Sequence, residues 1–253
     1  LPSHPESWLD IEKGFKFPRC VGAIDGKHIV IQSPALSGSE YYNYKKSFSI
    51  VLLALVDSDF KFLFADIGSQ GRISGGGVLN LPSPQPLPGL SIDVPYVFLG
   101  DGAFALSTHI MKPYPGVHNA GSPKRIFNNR LSSSRVVVEN AFGILASKFR
   151  IFRKPILLDP EKTSLLTMTC ILLHNFLRKS ETSRKIYTPP GSTDVFDDNG
   201  QLVHLGTWHD EIAEFRESCA IRPLSNIARR PSINAIQIRE EFTTYLTISS
   251  NTT

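Results

Sequence analysis

The chain has 253 residues and a mass of 28.1 kDa, with 41% hydrophobic and 20% charged residues, a balance typical of a globular domain with one sizeable core. This composition excludes a wholly disordered chain, and no apolar run reaches the roughly 18 residues of a membrane span. The net charge of +4 is too small to define a partner, and the three widely separated cysteines favour reduced thiols over a disulfide framework or a zinc site. The first residues are polar and contain proline, unlike a signal peptide, so we expect an intracellular protein.

The first half of the chain predicts four strands. Residues 21–33 and 47–57 are rich in valine, isoleucine and leucine, and a short turn then leads into a third apolar run at 60–67. Short connections between consecutive strands favour an antiparallel meander. A stretch rich in glycine, proline and serine separates this meander from a fourth strand at 95–100, which ends at Asp101.

The second half is predicted to be mainly helical. A helix over about 132–149 precedes a strand at 151–158 and a strongly apolar helix at 161–178. Residues 181–230 are polar and predict an irregular linker, and 231–253 predict a last amphipathic helix followed by a tail. Strands grouped first and helices later predict an α/β fold, a mixed sheet flanked by helices.

Three acidic residues lie where the apolar pattern predicts burial. Asp25 is inside the first strand, Asp101 follows the fourth, and Glu139 shares a helix face with small and apolar residues. An isolated buried charge is strongly unfavourable, so each acid must be paired, hydrogen-bonded, protonated or bound to a metal. Arg135, one turn before Glu139, offers the simpler explanation of an ion pair.

Together, the three acids predict more than three separate ion pairs. Carboxylate oxygens that converge from separate elements are the ligands that Mg²⁺ and Mn²⁺ prefer. Two such ions can activate a water molecule and stabilise the leaving oxygen of a phosphodiester. The pattern therefore predicts a divalent-metal site suited to a nucleic-acid backbone.

The basic residues are concentrated in one segment. Residues 124–154 contain a single acid, Glu139, beside eight basic residues: Lys124, Arg125, Arg130, Arg135, Lys148, Arg150, Arg153 and Lys154. Such an excess suits a polyanion such as nucleic acid, and it is equally well explained by a solvated basic helix face. The candidates for contact with a nucleic-acid backbone are Arg135, Lys148 and Arg150.

Other motifs predict less. The stretch GSQGRISGGG lacks the G-K-[ST] ending of a phosphate-binding loop. His28 faces the side of its strand opposite Asp25, and His174 lies in an apolar helix, so structural roles are favoured for both. A mixed aromatic and basic stretch at 41–46 could stack on bases or pack against the sheet edge.

Several long segments carry one resemblance, and in chain order they are FPRCVGAIDGKHI, YYNYKKSFSIVLLALVDSDFKFLFADIGSQGRIS, LPGLSIDVPYVFLGDGAFAL, IMKPYPG, FNNRLSSSRVVVENAFGILASKFRIF and CILLHNFLR. Together they resemble the Harbinger transposase-derived nucleases, a PIF/Harbinger-type family of DDE superfamily endonucleases. The likeness runs from about Phe17 to Arg178, and REEFTTYL resembles the family's C-terminal helix. It implies a ribonuclease-H-like DDE nuclease domain over residues 1–180.

The resemblance also implies an activity, the hydrolysis of DNA phosphodiester bonds with Mg²⁺ or Mn²⁺. The family's acids fall on Asp25 in GAIDGKH, on Asp101 in the Gly-Asp pair after a strand, and on Glu139 in VENAFG, which implies that all three are catalytic residues and metal ligands. After GRIS the family carries a further acid, whereas this chain has Gly75, which has no side chain to coordinate a cation.

That departure leaves an alternative function open, a DNA- or protein-binding derivative of the same fold with impaired catalysis. The resemblance further implies DNA as a partner, a separate Myb-like protein that supplies DNA specificity, and a nuclear location with the cytoplasm as a second compartment. No association with a membrane is expected.

Overall fold

A central mixed sheet with helices on both faces organises the protein. The computed structural model describes residues 1–68, 80–197, 199–224 and 232–250. In chain order its elements are α1 (Pro5–Glu12), β1 (Cys20–Val30), β2 (Ser49–Val56), β3 (Phe62–Ile67), β4 (Gln85–Pro86), β5 (Asp93–Val94), β6 (Val97–Leu99), β7 (Ile110–Met111), α2 (Pro123–Lys148), a 3₁₀ turn (Arg150–Arg153), α3 (Pro160–Leu177), α4 (Glu181–Tyr187), β8 (Val195–Phe196), β9 (Leu202–His204), α5 (Trp208–Ala213), β10 (Ile221–Pro223) and α6 (Ile233–Ser250).

The strand order of the main sheet is β3-β2-β1-β6-β7, and β10 pairs with the C-terminal half of β1. β2 is antiparallel to both β1 and β3, whereas β6 runs parallel to β1 and β7 runs parallel to β6. Along that path β2 is the strand that opposes the other four. This topology confirms the predicted meander and the predicted α/β architecture, which is ribonuclease-H-like.

The two faces of the sheet pack against different helices. On one face, Ala23 of β1 and Ala54 of β2 belong to a buried cluster with Phe142 of α2. On the other face, Trp8 of α1 meets Phe98 of β6 edge to face, with ring centroids 6.0 Å apart. Because β1 and β2 are covered on both sides, their sequences are almost continuously apolar.

Helix α2 is longer than the predicted helix over 132–149, because its apolar stripe continues through Phe127 and Leu131 to Pro123 at the first turn. This first half of α2 packs on α6, where the ring of Phe17 lies 5.6 Å from Phe127 and 5.3 Å from Phe242. The C-terminal helix is therefore part of the core, and its predicted position agrees with α6.

The strand predicted at 151–158 is wrong. Residues 150–153 form a 3₁₀ turn, and Ile156 makes a single bridge to Ile31. Pro155 interrupts the apolar run and removes a backbone donor, so a strand cannot continue through it. The apolar residue Leu157 is exposed and does not extend the sheet.

The irregular linker predicted at 181–230 is also wrong for its described part. It contains α4, the β8–β9 hairpin, α5 and β10, and β10 extends the main sheet with Ile221 opposite Ile29 and Pro223 opposite Lys27. Polar composition misled the prediction, because the segment is held by a few hydrogen-bonded anchors rather than by an apolar stripe. Residues 225–230 lie outside the described residues, and the division of the chain into domains at 180 and 230 stays a prediction.

Candidate functional site

Asp25 lies in the middle of β1 and is buried, with 5% of its surface exposed. One carboxylate oxygen, Oδ1, accepts a hydrogen bond of 2.8 Å from the backbone N–H of Gly26. The other oxygen, Oδ2, lies 2.6 Å from the ammonium nitrogen of Lys27. Both oxygens therefore have partners, which explains how a carboxylate is tolerated in a buried strand.

Lys27 reaches Asp25 because the two residues are separated by one position on the strand. Side chains at i and i+2 of a strand lie on the same face, here the face covered by α2. The ammonium group also lies over the ring of Phe142 in α2, 5.3 Å from its centroid. Lys27 is thus enclosed between the sheet and the helix. Sequence reasoning missed this residue, although the Asp-Gly-Lys spacing carried the signal.

Asp101 lies two residues beyond Leu99, the last residue of β6. Leu99 pairs in parallel register with Ala23 of β1, and Asp25 is two residues after Ala23. Neighbouring strands are about 4.8 Å apart, so this pairing places the segment that carries Asp101 beside the part of β1 that carries Asp25. The Oδ1 atom of Asp101 accepts a 2.8 Å hydrogen bond from the N–H of Ala103, which closes a tight turn.

The loop after Asp101 is fixed by a second lysine. The ammonium group of Lys112 donates to the carbonyl oxygens of Gly102 and Phe104, at 2.8 and 2.7 Å. Both carbonyls belong to the turn after Asp101. Lys112, which directly follows β7, therefore holds the backbone that carries Asp101.

Glu139 lies on α2, the helix that covers Asp25. It is about 60° around the helix from Phe142, which contacts Lys27. Its carboxylate forms an ion pair with Arg135 one turn earlier, and 42% of the glutamate side chain is exposed. The simpler explanation offered by the sequence, an i, i+4 ion pair, is thus present in the structure.

The carboxylate oxygens of these acids are the ligand type that a hard divalent cation prefers. In the structure, however, the acids are not gathered around one cation position. Asp25 and Asp101 supply carboxylate oxygens, the ligand type that Mg²⁺ and Mn²⁺ prefer, and each lies two residues after the paired Ala23 and Leu99. Glu139 is directed to Arg135 and Asp25 to Lys27. Among the residues that the structure describes, no group of three or more His, Cys, Asp or Glu side chains forms a metal-binding cluster. Gly75, where the sequence resemblance implies a further acid, lies outside the described residues.

The residue after Glu139 has a structural role that the sequence did not reveal. Asn140 is fully buried, and its side chain bonds both the N–H and the carbonyl of Asp194, at 2.8 and 3.0 Å. The same amide oxygen accepts 3.0 Å from the indole N–H of Trp208. A Cβ on Gly143 would lie only 2.3 Å from the Trp208 ring. The VENAFG motif therefore anchors the 194–208 segment to α2 as well as carrying Glu139.

The three candidates for backbone contact differ in how available they are. Arg135 is paired with Glu139, and Lys148 donates to both carboxylate oxygens of Glu211 in α5, each at 2.8 Å. Arg150 is exposed at the start of the 3₁₀ turn. Two of the three positive charges are thus neutralised within the protein.

Both histidines singled out by the sequence have structural partners. His28 is buried, its Nδ1 lies 2.9 Å from the Ser49 hydroxyl, and burial with the nearby Lys45 charge lowers its pKa. His174 donates from Nε2 to the carbonyl of Phe60 at 2.7 Å, and burial lowers its pKa to about 4. The structural interpretation of the two histidines is confirmed.

The aromatic and basic stretch at 41–46 packs against the edge of the sheet. Tyr44 lies 5.9 Å from the His28 ring, and the Lys45 ammonium donates to the carbonyl of Pro223 in β10 at 2.9 Å. The cysteines are buried free thiols, and burial raises the pKa of Cys170 to about 11, so none is a nucleophile at neutral pH.

Comparison with known proteins decides the family. The family described as DDE superfamily endonuclease matches residues 24–175, which is more than half of the chain. The chain belongs to this family. The DDE superfamily match includes Asp25, Asp101 and Glu139, and it confirms the resemblance to the Harbinger-type nucleases.

Curated relatives support the same family. "Protein ALP1-like" from Arabidopsis thaliana is 29% identical over 183 residues, which cover 66% of this chain and 45% of the relative. "Putative nuclease HARBI1" from Bos taurus is 26% identical over 162 residues, which cover 62% of this chain and 46% of the relative. The chain therefore spans a little under half the length of the curated relatives it matches. No solved structure matches this DDE superfamily chain significantly.

Within the described residues, no helix combines the length and the apolar character needed to cross a membrane.

Proposed function

We propose that this chain is the nuclease domain of a Harbinger-type protein and hydrolyses phosphodiester bonds of DNA with the help of a divalent cation. The observation that best supports the proposal is the parallel pairing of Ala23 in β1 with Leu99 at the end of β6, because Asp25 and Asp101 each follow this pair by two residues. The third acid of the family, Glu139, lies on the helix that covers them. The name of HARBI1 describes that relative as a nuclease, and the family match covers all three acids.

In this proposal Asp25, Asp101 and Glu139 are the residues that would hold Mg²⁺ or Mn²⁺. When bound, such a cation supplies Lewis acidity and an activated water molecule. Glu139 must turn from Arg135 toward the strands to join the other two acids, which its half-exposed position on α2 allows. The guanidinium of Arg135 is then released beside the site, where it can contact a phosphate.

Other residues of the chain would position the substrate. Lys112 holds the turn that presents Asp101, so that carboxylate does not have to be ordered when the substrate arrives. Arg150 offers an exposed positive charge beyond the end of α2. Lys148 is bound to Glu211 and would contribute to the field of the surface more than to a direct contact.

The test is nicking of supercoiled plasmid by the purified protein in Mg²⁺ and in Mn²⁺. We expect metal-dependent nicking that falls at least about 1,000-fold in Asp25→Ala, since removing a group that stabilises charge in the transition state has effects of this size. Asp10→Ala is the matched control, because Asp10 is an exposed residue of α1 that pairs with Lys13 of the same segment. Nicking that survives Asp25→Ala would come from a contaminant or another site and would overturn the assignment.

A specific observation favours a second candidate, a binding protein without turnover. Two of the three acids are neutralised by Lys27 and Arg135. The resemblance also implies a further acid at the position where this chain has Gly75. Binding of DNA by the wild-type protein without nicking would support this second function. Gly75→Asp discriminates the two: activity that appears only in this variant would mean that one missing ligand has silenced a nuclease fold.

The remaining family expectations are proposals for the whole protein. A separate Myb-like protein would supply DNA sequence specificity, because the acids and basic residues proposed for this site would contact the cation and the phosphates, which carry no sequence information. A nuclear location follows from a DNA substrate. Co-purification of a Myb-like protein with the full-length chain, and fluorescence microscopy of a tagged chain, test these two points.

A further inference from the structure

We propose that Lys27 is a resident cation at the Asp25 carboxylate, which a divalent metal must displace, and that Lys27 thereby sets how tightly this chain holds its metal. The inference rests on the proposed function in one respect, the role of Asp25 as a ligand. It adds a residue that determines metal affinity without being a ligand.

Both carboxylate oxygens of Asp25 already have partners. The Lys27 ammonium lies 2.6 Å from Oδ2 of Asp25, and the opposite oxygen is occupied by the N–H of Gly26 at 2.8 Å. The pair is enclosed, with 16% of the lysine side chain and 7% of the aspartate side chain exposed. An incoming cation therefore meets a carboxylate whose two oxygens both have partners.

The positive charges of Lys27 and of a divalent cation compete for the same carboxylate. An ammonium group and a divalent cation on the same carboxylate would stand a few ångströms apart, and like charges at that distance repel strongly where water is largely excluded. The two cations must then exchange rather than share Asp25. Each gains from the same carboxylate, so the free energy of the Lys27 contact is subtracted from that of metal binding.

The ring of Phe142 offers the Lys27 ammonium group a place to stay after exchange. It already lies over the Phe142 ring, 5.3 Å from the centroid, and an aromatic face stabilises a cation that has lost its carboxylate. Lys27 can leave Oδ2 and stay between the sheet and α2.

The experiment measures Mn²⁺ binding to the purified protein by electron paramagnetic resonance, without DNA. Lys27→Met removes the competing charge, so we expect it to bind Mn²⁺ more tightly than the wild type, by roughly the 10-fold by which residues beside metal ligands change metal affinity. Lys27→Gln keeps a donor to Asp25 and loses the charge, so it gives the same answer if the methionine variant does not fold. Lys27→Arg keeps the charge and should bind as the wild type does.

The matched control is Lys61→Met. Lys61 is paired with Asp59 two positions earlier, at 3.3 Å, but both side chains lie in an open turn and face no proposed ligand. It should leave the affinity for Mn²⁺ unchanged. A second readout is the melting temperature: Mn²⁺ should raise it more in Lys27→Gln than in the wild type, because binding to the folded state stabilises by mass action.

The outcomes separate this inference from the proposed function. Equal Mn²⁺ affinity in the wild type and both neutral variants, with loss of binding in Asp25→Ala, would overturn the exchange and leave the metal site intact. Weaker binding in the neutral variants would overturn it as well, because Lys27 would then support the site. Binding that Asp25→Ala leaves unchanged would place the metal elsewhere and remove the basis of both proposals.

Discussion

Two polar regions meet on α2, and they are built in opposite ways. In one region, Asp25 and Glu139 each pair with a cation on their own element. In the other, which we call the anchoring region, Asn140 is neutral, fully buried and bonded to Asp194 and Trp208, which are distant in the chain. The difference teaches that a charged pair formed within one element does not connect elements, whereas a buried neutral group bonded across the chain fixes where elements lie.

The anchoring region extends to α3. Asn175 accepts from the N–H of Phe62 and donates to its carbonyl, at 2.9 and 2.8 Å, and His174 donates to the carbonyl of Phe60. These bonds connect the helix to the start of β3. If the comparison is correct, changes in the anchoring region should lower the free energy of unfolding, and a change at the half-exposed Glu139 should alter chemistry with little effect on stability.

The largest effect on stability is expected for Asn140→Ala. The change leaves the backbone groups of Asp194 and the indole N–H of Trp208 without a buried partner, at about 1–3 kcal/mol for each. We expect the free energy of unfolding, measured by urea titration, to fall by about 4 kcal/mol. The exposed Asn119→Ala is the control and should change it by less than about 0.5 kcal/mol. A similar loss in both would contradict the anchoring role.

The next effect is a pH dependence caused by His174. Burial lowers its pKa to about 4, below the ordinary 6.5, so between these values the unfolded chain binds a proton that the folded chain does not. This contribution to stability is complete above pH 6.5 and is lost as the pH falls toward 4, by about 3 kcal/mol. Urea titrations from pH 7 to 4.5 should show the loss in the wild type and a flatter profile in His174→Gln. An unchanged profile in the variant would assign the effect to another group.

The smallest effect on stability, with the largest on chemistry, is expected for Glu139→Gln. The ion pair with Arg135 is half-exposed and joins residues four apart on a helix, and such pairs contribute about 0.3–0.5 kcal/mol. The free energy of unfolding should therefore change by about 0.5 kcal/mol or less, while plasmid nicking is lost. A loss of several kcal/mol would mean that Glu139 belongs with the anchoring groups, and the comparison between the two regions would fail.

The sequence predicted the elements whose positions are determined by the hydrophobic period and by turn residues. β1, β2, β3 and α3 lie where the apolar runs placed them, and the meander follows from their short connections. The sequence also located the acids on their elements, because a charge inside an apolar pattern is conspicuous. It could not show the register between β1 and β6, since that pairing joins strands about 75 residues apart in the chain.

What the sequence failed to predict depends on single side chains. The 181–224 segment has no apolar period, and its position follows from the bonds of Asp194 and Trp208 to Asn140 of α2. Neither the sequence of the segment nor that of α2 indicates that these residues are partners. The role of Lys27 depends on strand geometry, which was predictable from the i, i+2 spacing with Asp25. Pro155 was the available warning against a strand at 151–158.

The pairing of β10 with β1 also has a consequence for how the chain folds. Residues 27–29 leave the ribosome roughly 190 residues before their partners at 221–223. Contacts between such distant residues slow folding, because a long loop must be closed before they form. The edge of β1 stays unpaired while the intervening residues are synthesised, and a nascent chain in that state offers an unpaired strand to its neighbours. Expression in the presence of chaperones that bind extended segments should therefore raise the yield of folded protein.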